Sequence, residues 1–249
     1  MKKETLLNSK FVKNYYNESL SALDENYTNY RWHRNKVSEY DYQQTKNTLL
    51  HILKKFNIKD NHEMLEVGPG DGVWTPLFIN QSEHYTVLEQ SEEMISRLQA
   101  NFKENKFSVI KTDFMEYEPE QTFDTVFAIR CFEYFDKKEK ALKIFKSALG
   151  EHSLLIITTK NASYIKSVKK SKKLHSEQIT SSQMAKIAEV SGLEMIATYP
   201  TTLRVKSTFK IFRAIFTMIH NLGLLFNNAW FNNVFNWATE SYTYVLRKK

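Results

Sequence analysis

Three glycines at alternate positions, in Gly68-Pro69-Gly70-Asp71-Gly72, follow directly on the apolar run Met64-Leu65-Glu66-Val67. With no Cβ in the way, such a turn bends sharply and lets the backbone come into contact with a ligand. About twenty residues further on, the run His84 to Leu88 ends at Glu89, where a carboxylate can accept hydrogen bonds from both hydroxyls of a ribose. Together the two features outline a cradle for a nucleoside-type ligand. The spacing is G-x-G-x-G and not the G-x-G-x-x-G of dinucleotide enzymes, whose third glycine admits a close helix.

The elements that must hold these residues are legible as alternating patterns. Strands are expected near 63–67, 84–89, 107–110, 123–128, 153–159 and 193–199, with helices near 72–80, 91–102, 136–149 and 180–191. Repeated strand–helix units imply a largely parallel sheet with helices on both faces, and right-handed crossovers bring the carboxyl ends of its strands to one edge. Gly68, Glu89, Asp113, Ala128 and Thr158 should therefore share one rim, the place where open α/β sheets bind ligands.

Met64 to Phe78 resembles the first motif of the class I S-adenosylmethionine-dependent methyltransferases, and Leu88 to Ile95 (LEQSEEMI) resembles their second. Asp113, in Ser108 to Phe114, is similar to the third motif, and Phe123 to Ala128 to the fourth. The resemblance implies a Rossmann-like seven-stranded α/β sheet with an antiparallel last strand, for which Ser241 to Leu246 is suited, and S-adenosylmethionine as cofactor. It places Glu66, Gly68, Gly70, Asp71, Gly72 and Thr75 around the glycine turn, and Glu89, Gln90 and Met94 at the second motif. Thr112, Asp113 and Phe114 follow at the third, and Ile129 and Arg130 after the fourth. In this family a segment before the sheet often folds over the cofactor as a lid, which makes Arg31 and Trp32 candidates: guanidinium pairs with carboxylate, and a sulfonium is attracted to an aromatic face. Residues 1–62 are accordingly read as an N-terminal helical lid, with Leu49, Leu50, Ile52, Leu53 and Phe56 packing one helix on the sheet. Residues 63–200 form the cofactor-binding core, 201–239 a helical cap insertion and 240–249 the final core strand.

Methyl transfer needs donor and acceptor held in line and water excluded, and an oxygen acceptor of high pKa also needs a base. Where many small-molecule members of the family carry Glu-His after the fourth strand, this chain reads Arg130-Cys131-Phe132-Glu133-Tyr134. That departure leaves Glu133, Tyr134 and, from the cap, His220 as candidate catalytic residues. The Asp/Asn-Pro-Pro-aromatic turn typical of enzymes that methylate base amines is missing.

Charge is unevenly placed: residues 1–150 carry 21 Lys+Arg against 23 Asp+Glu, and residues 151–249 carry 14 against 5. A basic second half suits an anionic partner. Lys166, Lys169, Lys170, Lys172 and Lys173 follow the fifth strand, as phosphate ligands or as a solvated loop. The insertion from Thr201 to Thr239 is the least polar part of the chain, yet Lys210 and Arg213 interrupt it, so a packed cap or an interfacial helix is expected in place of a membrane span. A single cysteine, Cys131, excludes an intramolecular disulfide and a cysteine-rich zinc site. The N-terminal sequence has no long apolar stretch, and the cytoplasm is the expected location, with a peripheral membrane contact if the insertion is the interfacial helix and not the packed cap.

From these features the expected activity is methyl transfer to a small-molecule, glycan or lipid-linked anionic acceptor, most readily at oxygen, with nucleic acid as the less favoured partner. RNA methylation is the alternative, resting on charge alone, and a cofactor-binding protein that contacts a membrane or partner without transferase activity is the third.

Overall fold

The computed structural model describes Asn14 and residues 27–59, 62–104, 107–165, 178–204, 210–226 and 229–249. The lysines from Lys166 to Lys173, the first residues of the expected lid and Phe209 of the insertion lie outside these segments.

Seven strands form one mixed sheet: β1 (His62–Val67), β2 (Ser82–Glu89), β3 (Ser108–Lys111), β4 (Phe123–Ile129), β5 (Leu149–Lys160), β6 (Leu193–Leu203) and β7 (Thr239–Lys248). Their order is β3-β2-β1-β4-β5-β7-β6. β1 to β5 pair in parallel, while β7 runs antiparallel to both β5 and β6, as expected. The order reverses direction between β1 and β4, and a crevice opens at such a switch point beyond the strand ends.

Period-two alternation divides the apolar residues between two cores. Leu65, Val67, Val126, Ala128, Leu155 and Ile157 point to one face, under α3 (Lys138–Ala148) and α4 (Ser181–Val190). Met64, Val87, Phe127, Ile156 and Val245 point to the other, under α1 (Lys36–Lys55), α2 (Glu92–Asn101) and α5 (Lys210–Phe226). On α1, Leu49, Ile52 and Leu53 are buried, whereas Leu50 faces outward at 44% exposure, because the i, i+3, i+4 stripe is narrower than the run of leucines. Side-chain caps set the helix starts: Asn35 accepts from Val37 and Ser38 N–H before α1, Ser91 from Met94 N–H before α2, and Thr180 with Gln183 forms a reciprocal box before α4.

The helix expected near 72–80 does not form. Two single turns of 3-10 helix, Thr75–Leu77 and Ile79–Gln81, take its place. Gly72 adopts φ +93°, Pro76 sits within the first turn, and β2 already begins at Ser82, leaving no length for a regular helix.

The insertion between β6 and β7 is α5 followed by α6 (Ala229–Phe235). Gly223 permits its close approach, since a Cβ there would lie 2.6 Å from the Phe231 ring and 2.9 Å from Pro200. Among the described residues no helix is long and apolar enough to cross a membrane.

Candidate functional site

A cleft of about 1080 Å³, counted out to its open mouth, lies at the carboxyl ends of β1, β2 and β4. Its floor is the turn after β1, where Gly68 and Gly70 take φ +66° and +62° and Gly68 N–H donates to Leu88 O at 2.9 Å. The three glycines serve different purposes. A Cβ on Gly68 would lie 2.8 Å from the Cβ of Cys131, and one on Gly72 would lie 2.4 Å from the Phe102 ring and 2.6 Å from Leu98. One on Gly70 would meet only Met94, at 3.9 Å, so this position alone of the three faces open space.

Glu89 closes β2 with its carboxylate accepting from the N–H groups of Gln90 and Ser91, each at 2.9 Å. Burial raises its pKa, and the backbone N–H groups of Ser91, Gln90 and Gly70 oppose the rise. Met94, Thr112, Asp113 and Phe114 line the wall beyond it. The other wall comes from the segment before α1: Tyr27, Arg31 and Trp32 line the cleft, with the Arg31 guanidinium 4.6 Å over the Trp32 ring. Trp32 is 4% exposed and meets Trp74 edge-on at 5.1 Å.

Asp71 does something the sequence did not suggest. Its carboxylate accepts from Thr28 N–H at 2.8 Å and from the Thr28 hydroxyl at 2.8 and 2.9 Å, fastening the segment before α1 to the glycine turn. Burial raises the Asp71 pKa against these hydrogen bonds.

At the far end of the cleft, Ile129 leads into Arg130, a non-glycine residue at φ +63° whose N–H donates to Thr158 O at 2.8 Å. Left-handed backbone at a side chain of this size costs about 1–2 kcal/mol and persists only where surroundings enforce it. Here the enforcement is ionic. Arg130 donates to Glu240 at 3.0 Å and lies 3.4 Å from Glu133, while Arg204 pairs with Asp41 at 2.8 Å and with Glu240 at 3.6 Å. Lys160 lies 4.0 Å from Glu240. Burial lifts Asp41 to about 6 against the pull of Arg204, and burial lowers Lys160 to about 8 against the pull of Glu240. Glu240 is held well below the usual carboxylate range because Arg130, Lys160 and Arg204 outweigh its own burial. Glu133 and Tyr134 both line the cleft, but Glu133 is 1% exposed, faces Arg130 and accepts from the Thr159 hydroxyl at 3.2 Å.

Four expected residues do not line the cleft. Gly72 faces Phe102 and Leu98. Glu66 and Thr75 lie beneath it, where Glu66 accepts from the Thr75 and Tyr85 hydroxyls at 2.7 Å each. His220 is fully buried with Nε2 2.9 Å from the Thr48 hydroxyl, and burial lowers its pKa to about 4. It packs α5 on α1 and stands away from the cleft. Conversely, Tyr27, Val73, Trp74, Cys131 and Phe135 line it without having been singled out as ligand-binding residues. Trp74 stands two residues past the last glycine, and Tyr27 belongs to the same segment before α1 as Arg31 and Trp32.

Burial raises the Glu66 pKa to about 7, with the Tyr85 and Thr75 hydroxyls holding it down. The folded protein thus keeps this proton where the unfolded chain has lost it. The associated stability is complete below the ordinary value of 4.5 and is lost as pH rises through about 7. Glu66→Gln should flatten this fall; urea denaturation from about pH 5 to pH 8 measures it, and parallel slopes for both proteins would refute the assignment.

A sequence model of the family described as ribosomal RNA adenine dimethylase matches residues 33–181. Among curated proteins, the ribosomal RNA small subunit methyltransferase A of Malacoplasma penetrans (strain HF-2) is 26% identical over 147 residues, covering 57% of this chain and 53% of that protein. The protein of the same name from Mycoplasmopsis synoviae (strain 53) is 24% identical over 139 residues, covering 55% and 53%. The chain spans about half the length of these curated relatives. Among solved structures, magnesium protoporphyrin IX methyltransferase from Synechocystis PCC 6803 with bound SAH superposes with a TM-score of 0.65 at 12% identity, over 97% of this chain and 100% of that one. At that identity the likeness concerns the fold alone. The family match and the named relatives overturn the expectation that a small-molecule, glycan or lipid-linked acceptor comes first, and favour the alternative, RNA. The expectation failed because it weighed the missing Asp/Asn-Pro-Pro-aromatic turn above the basic half of the chain.

Proposed function

The chain belongs to the ribosomal RNA adenine dimethylase family; from that premise we propose that it is an S-adenosylmethionine-dependent methyltransferase whose acceptor is RNA, and small-subunit ribosomal RNA in particular. What supports this is the family match over 33–181, which takes in α1, the glycine turn and the Arg130 rim alike. The basic second half suits a polyanion, whose phosphates supply most of the affinity of such complexes.

The cleft fits the cofactor: Gly70 leaves room where a Cβ would intrude, and Glu89 presents a carboxylate at the end of β2. Bound there, S-adenosylmethionine supplies an electrophilic methyl group on a sulfonium. Glu89 would hold the ribose hydroxyls, Met94 and Phe114 the faces of the adenine, and Asp113 and Gln90 its polar edge. Arg31 would pair with the methionine carboxylate, and Trp32, with Tyr27, would exclude water from the donor. Glu133 holds Arg130 in its left-handed conformation, which makes it a positioning residue, and Tyr134 is the group we place at the acceptor end.

The acceptor proposed is RNA, and not the adenine amine in particular, because Arg130 to Tyr134 stand where a base-amine methyltransferase carries Asp/Asn-Pro-Pro-aromatic. The test is transfer of labelled methyl from S-adenosylmethionine to unmodified small-subunit ribosomal RNA, with transfer RNA and a protein extract as controls and nucleoside analysis of the product. Label in ribosomal RNA, with RNA binding that weakens steeply with salt, is expected. Cofactor binding with no label in any RNA would refute the proposal.

A further inference from the structure

Helix α5 is turned the wrong way round for a helix in water. Its inward face carries Thr217, His220 and Gly223 beside Phe216 and Leu224, and His220 is spent on a hydrogen bond to Thr48. Its outward face carries Ile211, Ile215, Met218, Leu222 and Leu225 at spacings of four, three, four and three. That spacing draws a stripe down one side of the helix. The stripe is solvent-facing: Ile211 is 67% exposed, Met218 59% and Leu225 70%. Phe212 beside it, Val234 on α6 and Trp237 just past α6 are also exposed, so that most of the exposed large apolar side chains among the described residues belong to this one insertion. A patch of this extent on a monomer marks a contact surface.

Charge selects what it contacts. Between Thr201 and Thr239 there are four Lys or Arg residues and no Asp or Glu; Arg204 is taken up by Asp41 and Glu240, which leaves Lys206, Lys210 and Arg213 with no acid in the segment. A second copy of the chain would bring one acid-free basic segment against another, with no carboxylate on either side to pair with. An RNA would find basic residues but would gain nothing from an aliphatic stripe. A bilayer carrying anionic head groups answers both features: aliphatic side chains and a tryptophan suit the acyl boundary, and a segment with a positive balance and no acid suits the head groups. The helix is 17 residues long and lies flat on the domain, its far side already occupied by β6 and α1, so contact with a surface needs no rearrangement.

We infer that the outward face of α5, continued by Val234 and Trp237, is a docking surface for an anionic membrane. The surface is separate from the cofactor cleft, which none of these residues lines. Membrane attachment therefore stands or falls independently of RNA as acceptor.

The experiment is flotation of the full chain with vesicles of phosphatidylcholine plus phosphatidylglycerol and with vesicles of phosphatidylcholine alone, beside size-exclusion chromatography with light scattering. The wild type should float with the anionic vesicles, less with the neutral ones, and less again as salt rises from about 0.1 to 1 M. The double variant Ile215→Glu/Met218→Glu should lose association about 100-fold, as expected from withdrawing two apolar side chains from the acyl boundary. It should keep wild-type affinity for S-adenosylmethionine, since both residues point away from the domain. Three results would overturn the inference: no flotation of the wild type; equal association with both kinds of vesicle; or a dimeric wild type made monomeric by the double variant, which would assign the stripe to a second copy.

Discussion

Gly70→Val is expected to weaken S-adenosylmethionine binding by about 2–3 kcal/mol, roughly 100-fold, whereas Gly72→Ala should leave the cleft empty of obstruction and lower stability instead. The two glycines are two residues apart and both are left-handed, so backbone strain of about 1–2 kcal/mol is common to the two variants. What separates them is where a side chain would go. From Gly70 it projects into open space within the cleft; from Gly72 it runs into Phe102 at 2.4 Å and Leu98 at 2.6 Å, which belong to the packing of α2 on the sheet. Overpacking of that kind costs about 1–3 kcal/mol beyond the strain. Calorimetric titration and denaturant unfolding of both variants make the comparison. Wild-type affinity in Gly70→Val would show that the turn does not face the cofactor.

Glu240→Gln is expected to cost about 3–5 kcal/mol, because it leaves Arg130, Lys160 and Arg204 around a site with no carboxylate at its centre. For a chain of this size that corresponds to a fall in Tm of about 10 °C. The effect should exceed that of Lys160→Met, since Glu240 faces three cations, whereas Lys160 reaches Glu240 only at 4.0 Å while Arg130 and Arg204 approach it at 3.0 and 3.6 Å. Cofactor affinity should fall along with stability, because Arg130 lines the cleft and takes its left-handed conformation from the same ion pairs. If Glu240→Gln and Lys160→Met unfold alike, Glu240 is not the centre of the cluster.

Much of the cofactor side was legible because it is local. The glycine turn, Glu89, Met94 and the Asp113-Phe114 pair each lie within a few residues of a strand end, and a strand's period of two says which edge they reach. The seven-stranded, mostly parallel sheet followed from the same motifs taken in sequence, and the antiparallel β7 is where Ser241 to Leu246 was expected. The helix expected near 72–80 fails for a local reason too: Gly72 and Pro76 interrupt it.

What only the tertiary structure decided is wherever distant residues compete for the same space. Asp71 lines the cleft from its place in the turn and also holds Thr28, 43 residues away in sequence. The Arg130 cluster draws residues from α1, β5 and β7, from the position just past β6 and from the turn after β4, and no spacing in the sequence records that meeting. His220 looked chemical and is structural, because α5 could bury either its aliphatic stripe or its mixed face and the fold chose the mixed one. Periodicity determines that a helix has two faces. Which face meets the domain depends on the shape and hydrogen-bonding groups of the surface it lands on, and those exist only once the chain has folded.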